Sequence, residues 1–254
     1  MTASGGSGSS VANRISVQVM KTAAGVVGRR QADIHVEGWE HLPKRGSALL
    51  AARHYHHLLD GCALLSSIDR PVHILVALDW VKGRAGRRLM ETACGMARWP
   101  IVLRNDGLAG QSGGTAFRGD ESRRFLRTAV RDSVELLRSG ELLVVFPEAY
   151  PNIDPAYTPK SSPDAFLPFR PGYLRLVELA QRNGTRVSIV PVGFAYLEQP
   201  SGRWAVTMRI GEPLHLTADT NREHVAHVVE EQVRVLSGLA PVADLSPVRE
   251  AIFS

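Results

Sequence analysis

Residues 48–61 read ALLAARHYHHLLDG. The first five are small and apolar, a run that suits a strand buried on both faces rather than one with a wet side. The run stops at Arg53-His54, the chain turns, and LLDGCALLSSI (58–68) reads as the start of a helix. Open α/β sheets present their reactive groups at the carboxyl ends of strands, which is where this stretch puts a histidine. A histidine there and a carboxylate a turn later, Asp60, would make a base oriented by an acid, suited to activating a hydroxyl. His54, His56 and His57 all compete for that part. Taken alone, the stretch is equally a solvated His-rich turn, and as metal ligands the three histidines lack a second cluster to complete a site.

Other apolar runs on either side extend the pattern. IHV (34–36), VHILVAL (72–78), PIVLR (100–104), LLVVF (142–146), VSIVPVGF (187–194) and WAVTMRI (204–210) read as further strands. Helices are expected over 120–138, 171–183 and 220–237. In the first, Leu126, Val130, Val134 and Leu137 recur at helical spacing while arginines occupy the other face. Asp120 is placed to cap it, and Asn221 or Thr220 to cap the last. Alternating strands and helices predict an α/β fold, a mixed and largely parallel sheet covered by helices. Two stretches break the order: the Gly-rich 105–119, and the proline-rich 147–170, too long to be an ordinary connection and therefore expected to carry function.

The chain has 254 residues, 44% hydrophobic and 22% charged, enough for one substantial core. Residues 1–10, MTASGGSGSS, read as a flexible tail without the basic and apolar regions of a signal peptide, and 241–254 as a C-terminal tail. Residues 11–30 mix apolar side chains with Arg14, Lys21, Arg29 and Arg30, as an amphipathic helix at a membrane interface does; a helix packed on the core with basic ends fits equally. Residues 81–99 interleave Lys82, Arg84, Arg87, Arg88 and Arg98 with Leu89, Met90, Met96 and Trp99, a pattern for anionic lipid or for a solvated helix whose arginines cover apolar surface. With a net charge of +5, anionic partners are favoured. Nucleic acid fits poorly, since aromatic residues make up only 6% and form no stacking motif.

Three stretches downstream repeat the logic of the first. PIVLR ends a strand on Arg104. VVFPEAY (144–150) ends a buried strand on Phe146-Pro147-Glu148, where proline fixes the backbone as the chain leaves the sheet. IVPVGF (189–194) carries Pro191, which suggests an edge strand or one beside a bulge. The four blocks, in this order between residues 36 and 194, resemble the glycerolipid acyltransferase family typified by lysophosphatidate (1-acylglycerol-3-phosphate) acyltransferases. That family's blocks are His-x4-Asp after a strand, a strand ending in arginine, Phe-Pro-Glu-Gly, and a strand with Val-Pro.

The resemblance implies an acyltransferase domain over residues 31–240. Its activity would move a fatty acyl group from a thioester, acyl-CoA or acyl carrier protein, to the hydroxyl of a lysophospholipid such as 1-acylglycerol-3-phosphate. It implies a histidine base oriented by Asp60, with neither metal nor further cofactor, and peripheral residence on an anionic membrane surface at its cytoplasmic face. By the same resemblance Arg104 helps hold the acceptor's phosphate, and Gly61, Phe146, Pro147 and Glu148 line the acceptor site. Two departures stand out. The family continues Phe-Pro-Glu-Gly-Thr-Arg-Ser where this chain has Ala149-Tyr150-Pro151-Asn152, so a phosphate-binding arginine is missing and Lys160 or Arg170 is the expected substitute. The missing arginine leaves another lipid or a glycolipid as an alternative acceptor. The spacing from His54 to Asp60 is also one residue too long. Five residues before Asp60 stands Tyr55, which is no general base at neutral pH. The base is then His54, with the extra residue absorbed in the turn, or His56 or His57 in a shifted register. His54 is favoured because it ends the strand directly; His57 is the rival if the turn is already helical.

Gly110–Gly114, GQSGG, spells the hydrolase nucleophile pattern around Ser112, but a strand must directly precede it and here one ends at Arg104. Asn183-Gly184 reads as a helix-ending turn.

Overall fold

The computed structural model describes residues 6–104, 115–155, 157–217 and 221–239, with the backbone alone for 6–17. Six strands form the main sheet: β1 (Ala32–Glu37), β2 (Ser47–Ala52), β3 (Val72–Ile74), β6 (Leu142–Val145), β7 (Val187–Glu198) and β8 (Trp204–Ile210). Their spatial order is β1-β8-β7-β2-β6-β3. All neighbours are parallel except β7 and β8. A separate parallel pair, β4 (Val76–Ala77) and β5 (Ile101–Val102), stands beside it. The fold is the mixed, largely parallel α/β sheet that the apolar runs predict.

Strand β2 shows why its sequence is apolar throughout: all six residues are buried. Ala48, Leu50 and Ala52 enter one core layer with Ala63 and Leu64 of helix α2 (Leu59–Ser67) and Ala24 of helix α1 (Gly6–Gln31). Leu49 and Ala51 enter the opposite layer, against helices α4 (Ser122–Arg138), α5 (Gly172–Gln181) and α6 (Arg222–Leu236). Each fully buried leucine contributes about 2–3 kcal/mol, which fixes the strand's position in the sheet. Helix α6 lies so close to β7 that a Cβ on Gly193 would sit 2.4 Å from the Leu236 carbonyl carbon; only glycine fits there.

Several expectations are corrected. Residues 72–78 are not one strand: Leu75 N donates to Val144 O in the main sheet, and Val76 N donates to Pro100 O in the small one, so the chain changes sheet there. Pro191 lies in an interior strand, so of its two readings the bulge holds. Between the Val192–Ile210 pair and the Ile189–Leu214 bridge β7 spends three residues where the facing segment spends four, and the Pro191 carbonyl accepts from Gly211 N. Of the expected face of α4, Val134 and Leu137 are buried and Val130 packs against the core, joined by Ala129, Ser133 and Leu136, but Leu126 is 55% exposed. Asp120 pairs with Arg118 rather than capping that helix, and Asn221 caps α6 through the Glu223 and His224 amides. Helix α1 begins at Gly6 and so takes in residues 6–10, assigned to a tail by composition. Residues 81–99 hold helix α3 (Arg84–Ala97). The Ser112 pattern lies outside the described residues.

Candidate active site

The carboxyl ends of β2, β4, β5 and β6 converge on one region. His54 follows β2, Asp79 follows β4, Arg104 follows β5, and Phe146-Pro147-Glu148 follows β6. His54 Nδ1 lies 2.9 Å from Asp60 Oδ2, and Asp60 has no exposed surface. The same oxygen accepts the amides of Tyr55 (2.8 Å) and His56 (3.1 Å), so three successive residues wrap one carboxylate oxygen. Oδ1 accepts the hydroxyl of Tyr196 from β7. With Nδ1 committed to the carboxylate, Nε2 is the ring's free acceptor in neutral imidazole.

The wrap accounts for the longer spacing. Residues 55–57 form a bridge with Ile153: Ile153 N donates to Tyr55 O at 2.7 Å, and His57 N to Ile153 O at 3.1 Å. The extra residue is spent in that bridge, and Asp60 returns under His54 as α2 begins. His56 Nδ1 accepts the Leu58 and Leu59 amides at the helix start. Burial holds the His56 pKa below its ordinary value, which keeps the ring neutral and able to accept. His57 is exposed, its Nδ1 near the Ile153 carbonyl, and it is not the partner of Asp60. The three rings thus serve three different tasks.

Around His54 the backbone is clamped on both sides. Its N–H donates to Glu148 Oε1 (2.9 Å), and its carbonyl accepts Lys160 Nζ (2.8 Å). Phe146 stacks on the imidazole with centroids 4.2 Å apart. Glu148 Oε2 accepts from Leu167 N and, at 2.6 Å, from Lys160, whose third acceptor is Asn152 Oδ1. Glu148 is 1% exposed, so it is neither a surface carboxylate nor open to an acceptor. Lys160 is likewise buried and spent on three oxygens, which corrects its reading as a phosphate ligand. Its pKa is pushed down by burial, with Glu148 opposing.

Arg104 differs from its expected role too. Nε and Nη2 grip Asp79, fully buried, at 2.8–3.1 Å; Nη1 donates to Ala149 O; and the guanidinium lies over the Tyr150 ring. Ala149 has φ +66°, the left-handed conformation for which glycine in the resembled motif is suited; alanine adopts it here at a cost of about 1 kcal/mol. Pro147 accepts the amide of Arg170, whose residue is exposed. Gly61 faces only Ile74, at an ordinary 3.9 Å from a built Cβ, so close approach does not demand glycine there. Arg53 is buried and donates to the carbonyls of Phe194 and Pro163.

Tyr196, Asp79 and Asn152 escaped the sequence reading. Asp79 had a signal, a carboxylate ending the apolar run VHILVAL just as the histidine ends ALLAA. Tyr196 continues the alternation of β7 two residues beyond buried Phe194. Nothing local marks Asn152, whose amide nitrogen reaches the Ser162, Pro163 and Ala165 carbonyls within 3.1 Å.

Comparison with known proteins adds three findings. The family model described as Acyltransferase matches residues 33–195. No curated protein sequence gives a significant match. Among solved structures, the chain is similar to the crystal structure of the 1-acyl-sn-glycerophosphate (LPA) acyltransferase PlsC from Thermotoga maritima, at 18% identity and a TM-score of 0.55, covering 88% of this chain and 79% of that one.

Proposed function

The chain belongs to the acyltransferase family, and on that premise we propose that it moves a fatty acyl group from a thioester to the hydroxyl of a lipid acceptor, with His54 as general base. The observation that carries the reading is the His54–Asp60 pair, 2.9 Å apart at the end of a central strand. The acceptor O–H gives its proton to His54 Nε2 as its oxygen attacks the thioester carbonyl carbon. Asp60 stabilises the imidazolium that forms. The tetrahedral adduct collapses, the C–S bond breaks, and the imidazolium returns the proton to the departing thiolate. The donor in this reading is acyl-CoA or an acyl carrier protein thioester, and the protein's own residues supply the acid–base chemistry. The similar Thermotoga maritima protein is a 1-acyl-sn-glycerophosphate acyltransferase, and that acceptor shares a free hydroxyl with other lipid alcohols. Thiol release by the purified protein is expected to depend on a lipid alcohol and to yield a new ester. Release at the same rate without any alcohol would instead mean hydrolysis, and the Ser112 alternative would then be tested by Ser112→Ala.

We also propose that the protein works bound to an anionic membrane surface. No described helix is long and apolar enough to span a membrane. Helix α3 exposes Leu89 (70%) and Met96 (57%), seven residues apart and therefore on one face, flanked by exposed Arg84 and Arg88. The neighbouring α1 exposes Val19 and Val26 at the same interval. Apolar side chains ringed by arginines favour insertion at an anionic lipid interface. Vesicles containing phosphatidylglycerol are expected to sediment the wild type, and Leu89→Asp with Met96→Asp to reduce the bound fraction at least about fivefold, since each aspartate adds a charge to a surface that must lose water. Equal sedimentation of both proteins would remove this face from the proposal.

A further inference from the structure

Charges around His54 already cancel before any substrate binds. Three carboxylates, Asp60, Glu148 and Asp79, are buried to 1% exposure or less. Facing them are three cations, Arg53, Lys160 and Arg104. Lys160 has three donors, and Glu148, the His54 carbonyl and Asn152 take all three. Arg104 spends Nε and Nη2 on Asp79 and Nη1 on the Ala149 carbonyl, while its face is covered by the Tyr150 ring. Arg53 is 2% exposed and its Nη atoms are directed to two carbonyls. Residues 105–114, which follow Arg104, contain neither lysine nor arginine, and position 151 holds proline.

A phosphomonoester brings about −1.5 to −2 charges at neutral pH and three strong acceptor oxygens. Seating it beside Asp60 requires cations with donors to spare, because charge-assisted hydrogen bonds are what offset its desolvation. Among the described residues, Lys160 and Arg104 are each paired with a carboxylate. Arg53, although its Nε has no hydrogen-bond partner, is enclosed at 2% exposure with both Nη atoms on backbone carbonyls. A hydroxyl-bearing group without charge makes no such demand. The reaction then creates one pair of charges, the imidazolium that Asp60 already contacts and the oxyanion of the tetrahedral adduct, and the acceptor adds none of its own.

Resting on the reading of this site as a lipid acyltransferase, we infer that its acceptor is an uncharged lipid alcohol, and that Asp79 sets this preference by holding Arg104 away from the ligand. Asp79 acts through Arg104 and touches no substrate.

The test compares two acceptors that differ only in the phosphate, 1-acylglycerol and 1-acylglycerol-3-phosphate, in mixed micelles with one fatty acyl thioester. For the wild type, kcat/KM is expected to be at least about tenfold higher for the uncharged acceptor, a modest demand given that like charges brought together cost several kcal/mol. Asp79→Asn releases Arg104 and is expected to narrow the ratio, through a KM for the phosphate acceptor that falls relative to that for the uncharged one. Asp79 and Pro151 are both buried, so each variant is read by the ratio between the two acceptors, which a loss of folded protein leaves unchanged. Pro151→Arg adds a guanidinium without removing a carboxylate and should shift the ratio the same way. A wild type that prefers the phosphate acceptor overturns the inference while leaving acyl transfer intact; loss of that preference in Arg170→Ala would then identify Arg170 as the clamp. Transfer to neither acceptor, with thiol released regardless, fails the acyltransferase reading and takes the inference with it.

Discussion

Alanine in place of His54 is expected to lower acceptor-dependent thiol release by roughly 10³-fold, within the range a positioned general base contributes. The side chain is only partly exposed and its ring packs on Phe146, so some stability is lost as well. The comparison that isolates chemistry is therefore His54→Gln, which keeps a polar side chain of similar reach and should lose as much activity at a similar melting temperature. His57→Ala is expected to stay within about threefold of the wild type, because that ring faces the Ile153 carbonyl and solvent rather than Asp60. Tyr196→Phe keeps the stack on Tyr55, 4.3 Å between centroids, and removes only the hydroxyl on Asp60. Asp60 then loses one of the partners that fix its orientation, and kcat is expected to fall about tenfold while KM for the acceptor stays nearly constant. A purely structural tyrosine would lower the melting temperature without that split. Retention of more than about a tenth of wild-type rate by His54→Ala, or a comparable loss in His57→Ala, would remove His54 from the role of base.

The reason the sequence could place His54 but not close the site around it lies in the range over which each signal acts. ALLAA reads as a doubly buried strand because burial on both faces leaves a continuous apolar run, and the structure divides that run between two core layers. The histidine is legible because it sits where the run ends. Its spacing to Asp60 looked one residue wrong because the correction comes from Ile153, far along the chain, whose bridge to residues 55–57 absorbs the surplus. Lys160 and Arg104 show the opposite error. Residue type suggested phosphate ligands, since a lysine in a long loop and an arginine at a strand end are exposed more often than not. Both are instead neutralised by carboxylates, Glu148 and Asp79, at separations of 12 and 25 residues, which no local periodicity reveals. The proline-rich segment is too long for an idle connection. What it supplies, however, is the buried hand that holds His54.

That hand makes the Glu148–Lys160 pair the expected site of the largest single-residue loss in stability. Lys160→Met leaves a carboxylate buried with two amide donors, His54 N and Leu167 N, and only Arg53 as counter-charge. Removing one partner of a buried pair typically costs about 3–5 kcal/mol, because the remaining charge keeps its desolvation penalty and loses its compensation. For a chain of this size that corresponds to a fall of roughly 10 °C in Tm, followed by circular dichroism. Glu148→Gln should be milder in kind, since a neutral amide can still accept from His54 N, yet it leaves Lys160 charged beside Arg53. The double variant is expected to be more stable than the sum of the two losses predicts, with a coupling of at least about 1 kcal/mol. Activity supplies the second reading. Glu148 and Lys160 grip the N–H and the carbonyl of the same residue, so loosening them displaces the imidazole itself. A shift of an ångström at the base is enough to lower kcat about a hundredfold, well beyond what the unfolded fraction accounts for at assay temperature. Additive stability losses, together with kcat that follows only the folded fraction, would mean that the pair holds the loop in place and leaves the position of His54 to Asp60 and Phe146 alone.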